Sequence, residues 1–345
     1  MVTTVSVIIT TYQTGEVLKY AVDSVLGQKN LAELIVVDNG NPEEMMSWLR
    51  DLEKAQKKVK LLTGHGNVGF GKACNLGAKE ASGDILLLLN PDSLLPKDAL
   101  KAFAKALDSN EEVWAAGPRL RSPNGVEQRG SRRRLLTPHT AVAEALRLDV
   151  ALGWDRMNMH EDPLPKEIEE IPAISGACTA IKREKFEELE GFDEEYFLHV
   201  EDLDLYHRIN DAGGKILFLP ELNVVHLQGT SNASFFFVEW QKTLGFMHYF
   251  DKFENKLMWL LMTALAITKF VVTCGWMGLK RILPENKEAI RAERRLIWLH
   301  RHLRGEHKDN TNFKDKEILV TGSTSQIGVC AIGHLLASGA KVVAL

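Results

Sequence analysis

The 345-residue sequence is poor in cysteine, and its four cysteines, Cys74, Cys178, Cys274 and Cys330, form no C-x-x-C pair. That spacing argues against a cysteine zinc site and a disulfide framework, and it fits a reducing cytosol. Charge of one sign is not in excess either. With 42 basic and 46 acidic residues the net charge is −4, which gives no electrostatic reason to expect nucleic acid as a partner. The N-terminus lacks a basic start followed by an apolar core and a small-residue cleavage site, so no secretion signal is read there. Internal repeats and low-complexity segments are also missing. What is present, 45% hydrophobic and 26% charged residues, describes a globular enzyme with a full core.

The first 120 residues alternate between short β-rich apolar runs and helical patterns. "VSVIIT" (5–10), "ELIVVD" (33–38), "VKLLT" (59–63) and "DILLLL" (84–89) read as strands. "EVLKYAVDSVLGQ" (16–28), "EEMMSWLRDLEKAQ" and "GFGKACNLGAKEAS" (69–82) read as helices between them. Such alternation predicts βαβ units and an α/β fold around a mostly parallel sheet. In open sheets of this kind the ligand crevice lies outside the carboxyl ends of the strands. Those ends are polar here: Thr10-Thr11-Tyr12, Asp38-Asn39, "GHGNVGFGKACN" and Asn90-Pro91-Asp92. Helix capping accounts for any one of them alone; four on one rim point to a binding crevice. Pro91, with a fixed φ and no N–H, ends the most apolar strand and holds Asn90 and Asp92 at the crevice mouth.

Beyond residue 121 the pattern weakens into "RSPNGVEQRGSRRRLLTPH", with Arg129, Arg132, Arg133 and Arg134. This run reads equally as a site for a phosphorylated lipid or anionic membrane and as a solvated loop. "IPAISGACTAIKREKFEEL" predicts a strand and a helix. An acidic cluster then opens a helix (202–211), Gly213-Gly214 end it, and a strand (215–219) leads to a second one finishing at His226.

The ordered series "VSVIITTYQ", "IVVDNGN", "GNVGFGKACNLG", "LLLNPD", "SGACTAIKRE", "GFDEEYFLHVEDLDLYHRI" and "VVHLQGTS" resembles the inverting family 2 glycosyltransferases. The resemblance covers roughly residues 4 to 250 and implies a GT-A nucleotide-diphospho-sugar transferase fold. Asn-Pro-Asp, where many relatives carry Asp-x-Asp, is similar to the rhamnosyltransferase-like branch. The resemblance implies a role for each matching position. Asp38 corresponds to the acid that hydrogen-bonds the base, with Thr10 and Tyr12 in the same pocket and Gly69 and Lys72 near the nucleotide. Asp92 corresponds to the carboxylate that binds Mn²⁺ or Mg²⁺, with Asn90 and His226 beside it. In the pair Glu201-Asp202, Asp202 corresponds to the catalytic base and Glu201 orients it or binds the acceptor. A helix N-terminus lowers the pKa of such acids, whereas crowding by Asp193, Glu194, Glu195 and Asp204 opposes that.

The function implied is transfer of one rhamnose or hexose from a dTDP- or UDP-sugar to a growing surface polysaccharide or lipid-linked glycan. The Q-x-x-R-W motif of processive relatives is missing; "SFFFVEWQKTL" keeps only Trp240. Two alternatives stand beside this reading: a catalytically degenerate glycan-binding or scaffold module, and the recruiting domain of a sugar-nucleotide oxidoreductase or epimerase.

Three regions are expected: a transferase domain (1–250), an apolar and basic helical extension (251–310) and a Rossmann fragment (311–345). Leu257 to Leu279 is long enough to cross a membrane, though Lys269 sits near its middle. Lys280, Arg281, Arg291, Arg294, Arg295, Arg301 and Arg304 make the stretch that follows basic and amphipathic. "KEILVTGSTSQIGVCAIGHLLASGAKVVAL" is similar to the first β-α-β of short-chain dehydrogenases and sugar-nucleotide epimerases. Gly322 and Gly328 stand in its glycine turn, and Ser325 replaces the usual middle glycine. One β-α-β is too little for a Rossmann sheet, so NAD(P) is expected only with a complete C-terminal domain, and the sequence reads as truncated from a longer two-enzyme protein. Because nucleotide sugars and NAD(P) are both cytosolic, a single crossing by 257–279 is disfavoured. Peripheral association with the inner face of the cytoplasmic membrane is ranked ahead of a helical hairpin or a buried contact between copies of the chain.

Overall fold

The computed structural model describes residues 3–146, 148, 152–229, 233–282, 317–320 and 341–344. The chain falls into two compact units: Met1–Arg121 with Glu127–Leu283, and Ser122–Val126 with Pro284–Leu345.

The larger unit is built on a nine-stranded sheet. Its strands are β1 (Val5–Thr11), β2 (Leu31–Asp38), β3 (Val59–Leu62), β4 (Ile85–Leu89), β5 (Ser93–Leu94) and β6 (Val113–Arg121). A separate pair, β7 (Arg132–Arg133) and β9 (Ala173–Ile174), brackets the short β8 (Glu169–Glu170), and β10 (Cys178–Lys182) and β11 (Lys215–His226) return to the main sheet. The strand order is β3-β2-β1-β4-β10-β6-β11-β5, with β8 on β11. β3, β2, β1 and β4 are mutually parallel, as the strand–helix alternation predicts. β10 lies antiparallel between β4 and β6, and β11 resumes the parallel direction on β6. All five β4 side chains are buried, each contributing roughly 1.5–3 kcal/mol by leaving water.

Two expectations for the last strands need correction. Residues 215–226 form one strand rather than two, with a register shift between Leu219 and Asn223 opposite Pro118 and Arg119. Pro220, which has no N–H to donate, sits in that bulge, where a ladder can spare a donor. The acidic helix begins at Glu201 and ends at Asp211. It follows two left-handed residues, His199 at φ 68° and Val200 at φ 74°, the latter a conformation that a β-branched residue adopts only under strain.

Helix Phe235–Phe253 holds that strained turn in place. A Cβ on its Gly245 would lie 2.9 Å from the His199 carbonyl oxygen, so the two backbones touch because residue 245 has no side chain. Lys252 on the same helix pairs with Asp193 and Asp204, both at 2.8 Å. The next helix, Lys256–Ile282, is continuous. Met262 is buried on one face, with Met258, Trp259 and Leu265 packed on the core beside it. The other face is exposed at Leu257, Leu260, Leu261, Ile267, Val271 and Val272.

In the smaller unit β12 (Glu317–Val320) and β13 (Lys341–Ala344) pair in parallel. Gly322 and Gly328, the intervening helix and the basic positions 291–304 lie outside the described residues.

Candidate functional site

The carboxyl ends of β1, β2 and β4 form the rim that the sequence singles out, and Asp38 shows how it is built. Its Oδ1 accepts hydrogen bonds from Gly40 N at 3.1 Å, Asn41 N at 2.9 Å and Asn41 Nδ2 at 2.7 Å. Its Oδ2 accepts Thr63 Oγ1–H at 3.1 Å and keeps a lone pair for a ligand. The Tyr12 ring lies against Gly40, where a Cβ would be 3.5 Å away, so Tyr12 and Asp38 share one corner. Thr10 points elsewhere: its hydroxyl meets the Cys74 thiol at 3.5 Å under helix Phe70–Lys79. Burial pushes that thiol up to about 12 against the Thr10 hydrogen bond, so Cys74 is an inert core group.

Gly69 adopts φ 90°, and a Cβ there would fall 2.4 Å from the Phe197 carbonyl oxygen. The same carbonyl accepts Phe70 N–H at 2.9 Å, while Asn39 Nδ2 donates to Gly69 O at 2.9 Å. Gly69 is thus the joint that ties the Asp38 corner to the loop before the acidic helix. Lys72 pairs with Glu194 at 2.9 Å.

At the end of β4, Asn90 and Asp92 meet His226 at the end of β11. Gln128 Nε2–H donates to the His226 carbonyl at 2.5 Å, which turns Gln128 Oε1 toward the ring to accept Nδ1–H at 2.9 Å. His226 Nε2 then presents a lone pair to Asp92 Oδ1, 3.1 Å away. Two acceptors at that distance repel unless a proton or a metal ion lies between them. Neighbouring ligands of an octahedral ion at about 2.1 Å stand about 3.0 Å apart, so the pair fits Mn²⁺ or Mg²⁺. Asn90 Nδ2 lies 3.4 Å from the same Nε2, and turning its amide over would bring an oxygen to that point. Among the described residues no group of three His, Cys, Asp or Glu converges. A metal here would take its remaining ligands from substrate and water.

Asp202 is held by remote groups. Its Oδ2 accepts Arg133 Nη1–H at 2.8 Å and Gly176 N–H at 3.0 Å; its Oδ1 accepts Leu203 N–H at 2.9 Å and keeps a free lone pair. The next residue along the loop, Ala177, accepts Asn90 N–H at 2.9 Å and Ser93 Oγ–H at 3.3 Å through its carbonyl. Asp202 and the Asn90–Ser93 turn that carries Asp92 are therefore fastened to one two-residue segment. Asp38 stands two strands away from β4, roughly 10 Å at the usual strand spacing, a span along which a nucleoside diphosphate can lie.

Glu201 is buried beside Asp202, and its Oε2 has no hydrogen-bond partner. Burial, reinforced by the Asp202 charge, pushes its carboxyl well above the usual carboxylate range. The expected crowding by other acids is not what surrounds Asp202. Asp193 faces Lys252 and His248, Glu194 faces Lys72, and Asp204 faces Arg208 and Lys252. Burial alone would raise Asp193, but the Lys252 ammonium, the Glu195 N–H and His248 bring it down to about 2. These acids are neutralised by cations from neighbouring elements, a pairing that linear spacing does not reveal.

The arginine run is neither a free basic patch nor a solvated loop. Arg129 pairs with Glu144, Arg132 is 1% exposed and bound to Glu127 at 2.8 Å, and Arg134 pairs with Asp162 at 3.0 Å. Arg133 reaches Asp202. Four site residues thus escape the sequence reading: Arg133 as the partner of Asp202, Gln128 behind His226, Gly176 as an N–H donor, and Thr63 beside Asp38. "SGACTA" marked the segment of Gly176; nothing in the spacing marked Gln128.

With this geometry in hand, comparison with known proteins is informative. The profile described as Glycosyl transferase family 2 matches residues 6–190. The N-acetylglucosaminyl-diphospho-decaprenol L-rhamnosyltransferase of Mycobacterium tuberculosis is 24% identical over 245 residues, 66% of this chain and 77% of that enzyme. The rhamnosyltransferase WbbL of Escherichia coli K12 is 24% identical over 178 residues, 50% of this chain and 65% of that one. The solved structure of GalNAc-T7 with UDP, GalNAc and Mn²⁺ superposes with a TM-score of 0.52 at 24% identity, over 65% of this chain and 43% of that one. The mannosyltransferase PcManGT from Pyrobaculum calidifontis, solved with GDP-Man and Mn²⁺, has a TM-score of 0.50 at 16% identity and covers 98% and 87% of the two chains. These likenesses support the GT-A fold.

Proposed function

The chain belongs to glycosyl transferase family 2, and from that premise we propose that it is an inverting, metal-dependent transferase moving one rhamnose or hexose. The donor in this reading is a dTDP- or UDP-sugar, and the acceptor a hydroxyl of a surface polysaccharide or lipid-linked glycan. The observation that carries the proposal is the fastening of Asp202, and of the Asn90–Ser93 turn that carries Asp92 beside His226, to the same Gly176-Ala177 segment. In this reading one segment carries both a leaving-group site and a base.

Asp38, with Tyr12 beside it, holds the base of the donor through its open Oδ2 lone pair. Asp92 and His226, with Asn90, would hold Mn²⁺ or Mg²⁺, whose chemistry is to neutralise the charge on the departing diphosphate. Asp202 Oδ1 takes the proton from the acceptor hydroxyl as that oxygen bonds to the anomeric carbon. The bond from that carbon to the phosphate oxygen breaks in the same displacement, and the nucleoside diphosphate leaves. Arg133 and the Gly176 N–H engage Oδ2, so only Oδ1 is offered to the acceptor; both are positioning groups. Glu201, uncharged in its buried setting, adds no second negative charge beneath the base.

The exposed apolar face of helix Lys256–Ile282 supports association with a membrane surface on the cytoplasmic side. Its opposite face is packed on the protein's own core, which favours a helix lying along a surface over one that leaves the domain to cross it. The parallel pair β12–β13 is compatible with a β-α-β fragment at the end of the chain.

Release of free sugar from a panel of nucleotide sugars in Mn²⁺, with and without EDTA, tests the proposal. Hydrolysis lost on chelation is expected. Hydrolysis indifferent to EDTA removes the metal from the reading, and none with any donor favours the degenerate glycan-binding module.

A further inference from the structure

The larger unit contains a cleft lined by none of the residues assigned above to the transfer. Its enclosed part measures about 80 Å³ and opens to solvent. Helix Lys256–Ile282 contributes Met262, Leu265 and Ala266, helix Phe235–Phe253 contributes Phe246 and Phe250, and helix Pro138–Leu146 adds Ala141. The polar lining comes from Arg129, Glu144 and Lys269. Glu144 is engaged by Arg129. Lys269 has no carboxylate within ion-pair distance among the described residues and lies 5.8 Å from the Phe246 ring centroid. The charges acting on it are Arg129 and Lys242, which repel it, and Glu144 and Glu239, each bound to another cation. An apolar cleft with one uncompensated cation complements a molecule with an apolar chain and an anionic head.

Position argues for the same occupant. Leu136 lines the cleft three residues beyond Arg133, whose guanidinium holds Asp202. Met157, another lining residue, accepts Arg134 N–H at 2.8 Å through its carbonyl, so the cleft lies directly against the strand that positions the base. The helix that supplies Met262 and Lys269 bears the exposed apolar stripe on its other face, so a helix resting on a membrane surface would hold the cleft near it.

We infer that this cleft binds the head-proximal part of the prenyl chain of a prenyl-phosphate-linked acceptor, with Lys269 taking the phosphate. The inference rests on the lipid-linked acceptor of the preceding section and adds where the lipid goes.

Titration of the full chain with farnesyl diphosphate, inorganic diphosphate and farnesol tests this, in EDTA and saturating UDP to keep diphosphate off the donor side. Farnesyl diphosphate is expected to bind at least tenfold more tightly than either half. Ala266→Trp, which fills the cleft, and Lys269→Glu, at an exposed position that folding tolerates, are each expected to weaken it at least tenfold, while Lys269→Arg retains it. Equal binding of farnesyl diphosphate and diphosphate, or binding indifferent to both variants, overturns the inference. So does binding of phosphatidylglycerol vesicles that depends on both residues while farnesyl diphosphate fails to compete, since the cleft would then be a phospholipid site. Donor hydrolysis by the unaltered chain reports on the transferase reading separately. A chain that hydrolyses donor but shows no preference for the prenyl ligand loses the cleft and keeps the activity.

Discussion

The two ends of the crevice are built from different kinds of contact. At the proposed donor end, Asp38 is gripped mostly by its own neighbours, since Gly40 and Asn41 supply three of its four hydrogen bonds. At the proposed acceptor end, Asp202 depends on Arg133, 69 residues earlier, and Gly176, 26 residues earlier. Local contacts form once the chain turns; remote ones exist only when β7, the Gly176 loop and the acidic helix have all docked. The acceptor end is therefore the one whose geometry the rest of the fold can shift, and the one where single substitutions should do most damage.

The largest effect should come from Asp202→Asn. Transfer is expected to fall by about 10³-fold or more, in keeping with loss of a positioned base, while nucleotide binding, read as thermal stabilisation by UDP or dTDP, persists. A variant with wild-type turnover would move the base elsewhere and dissolve the contrast between the two ends. Next, Asp92→Ala and His226→Ala should each lower Mn²⁺-dependent hydrolysis by about 10²-fold and raise the metal concentration needed for half activity. Gln128→Leu should act in the same direction but more weakly, because it frees the ring without removing the ligand.

Stability sharpens the comparison further. Arg133→Met leaves the Asp202 carboxylate without its buried cation and should cost about 3 kcal/mol in denaturant unfolding. Asp38→Asn keeps the turn contacts and should cost about 1 kcal/mol. Equal costs would mean that the two ends are not built differently.

The smallest effect concerns pH. The Glu201 carboxyl is raised in the folded protein, so the native state binds its proton more tightly than the unfolded chain does. Stability from this group is complete below the unfolded carboxyl's range, near pH 4.3, and declines as pH rises toward the elevated folded value. Glu201→Gln should remove that decline. The variant should be more stable than the wild type at alkaline pH by about 1 kcal/mol, or roughly 2–4 °C in Tm. The difference should shrink on acidification; an unchanged pH profile would place the proton elsewhere.

How much of this was legible follows the same divide. Strand ends, the Pro91 stop, the glycine at 69 and the acidic pair at a helix start are written in short stretches of chain, and each lies where the pattern places it. Thr10 shows the limit: it stands on the correct strand end, yet its side chain turns inward to Cys74 rather than to the rim. The arginine run shows another, because four adjacent cations look like one patch in a line. The fold sends Arg132 into the core and Arg133 to Asp202, and pairs Arg129 and Arg134 with carboxylates.

By itself the amino-acid order determined the parallel α/β layout, the polar rim and the family, because strand periodicity, proline and glycine act over a few residues. Tertiary structure alone decided which oxygen of Asp202 is free, which ring nitrogen of His226 faces Asp92, and which arginine reaches Asp202. Those outcomes depend on groups tens of residues apart sharing a low-dielectric interior, where charges and hydrogen-bond donors must find partners that no local pattern names.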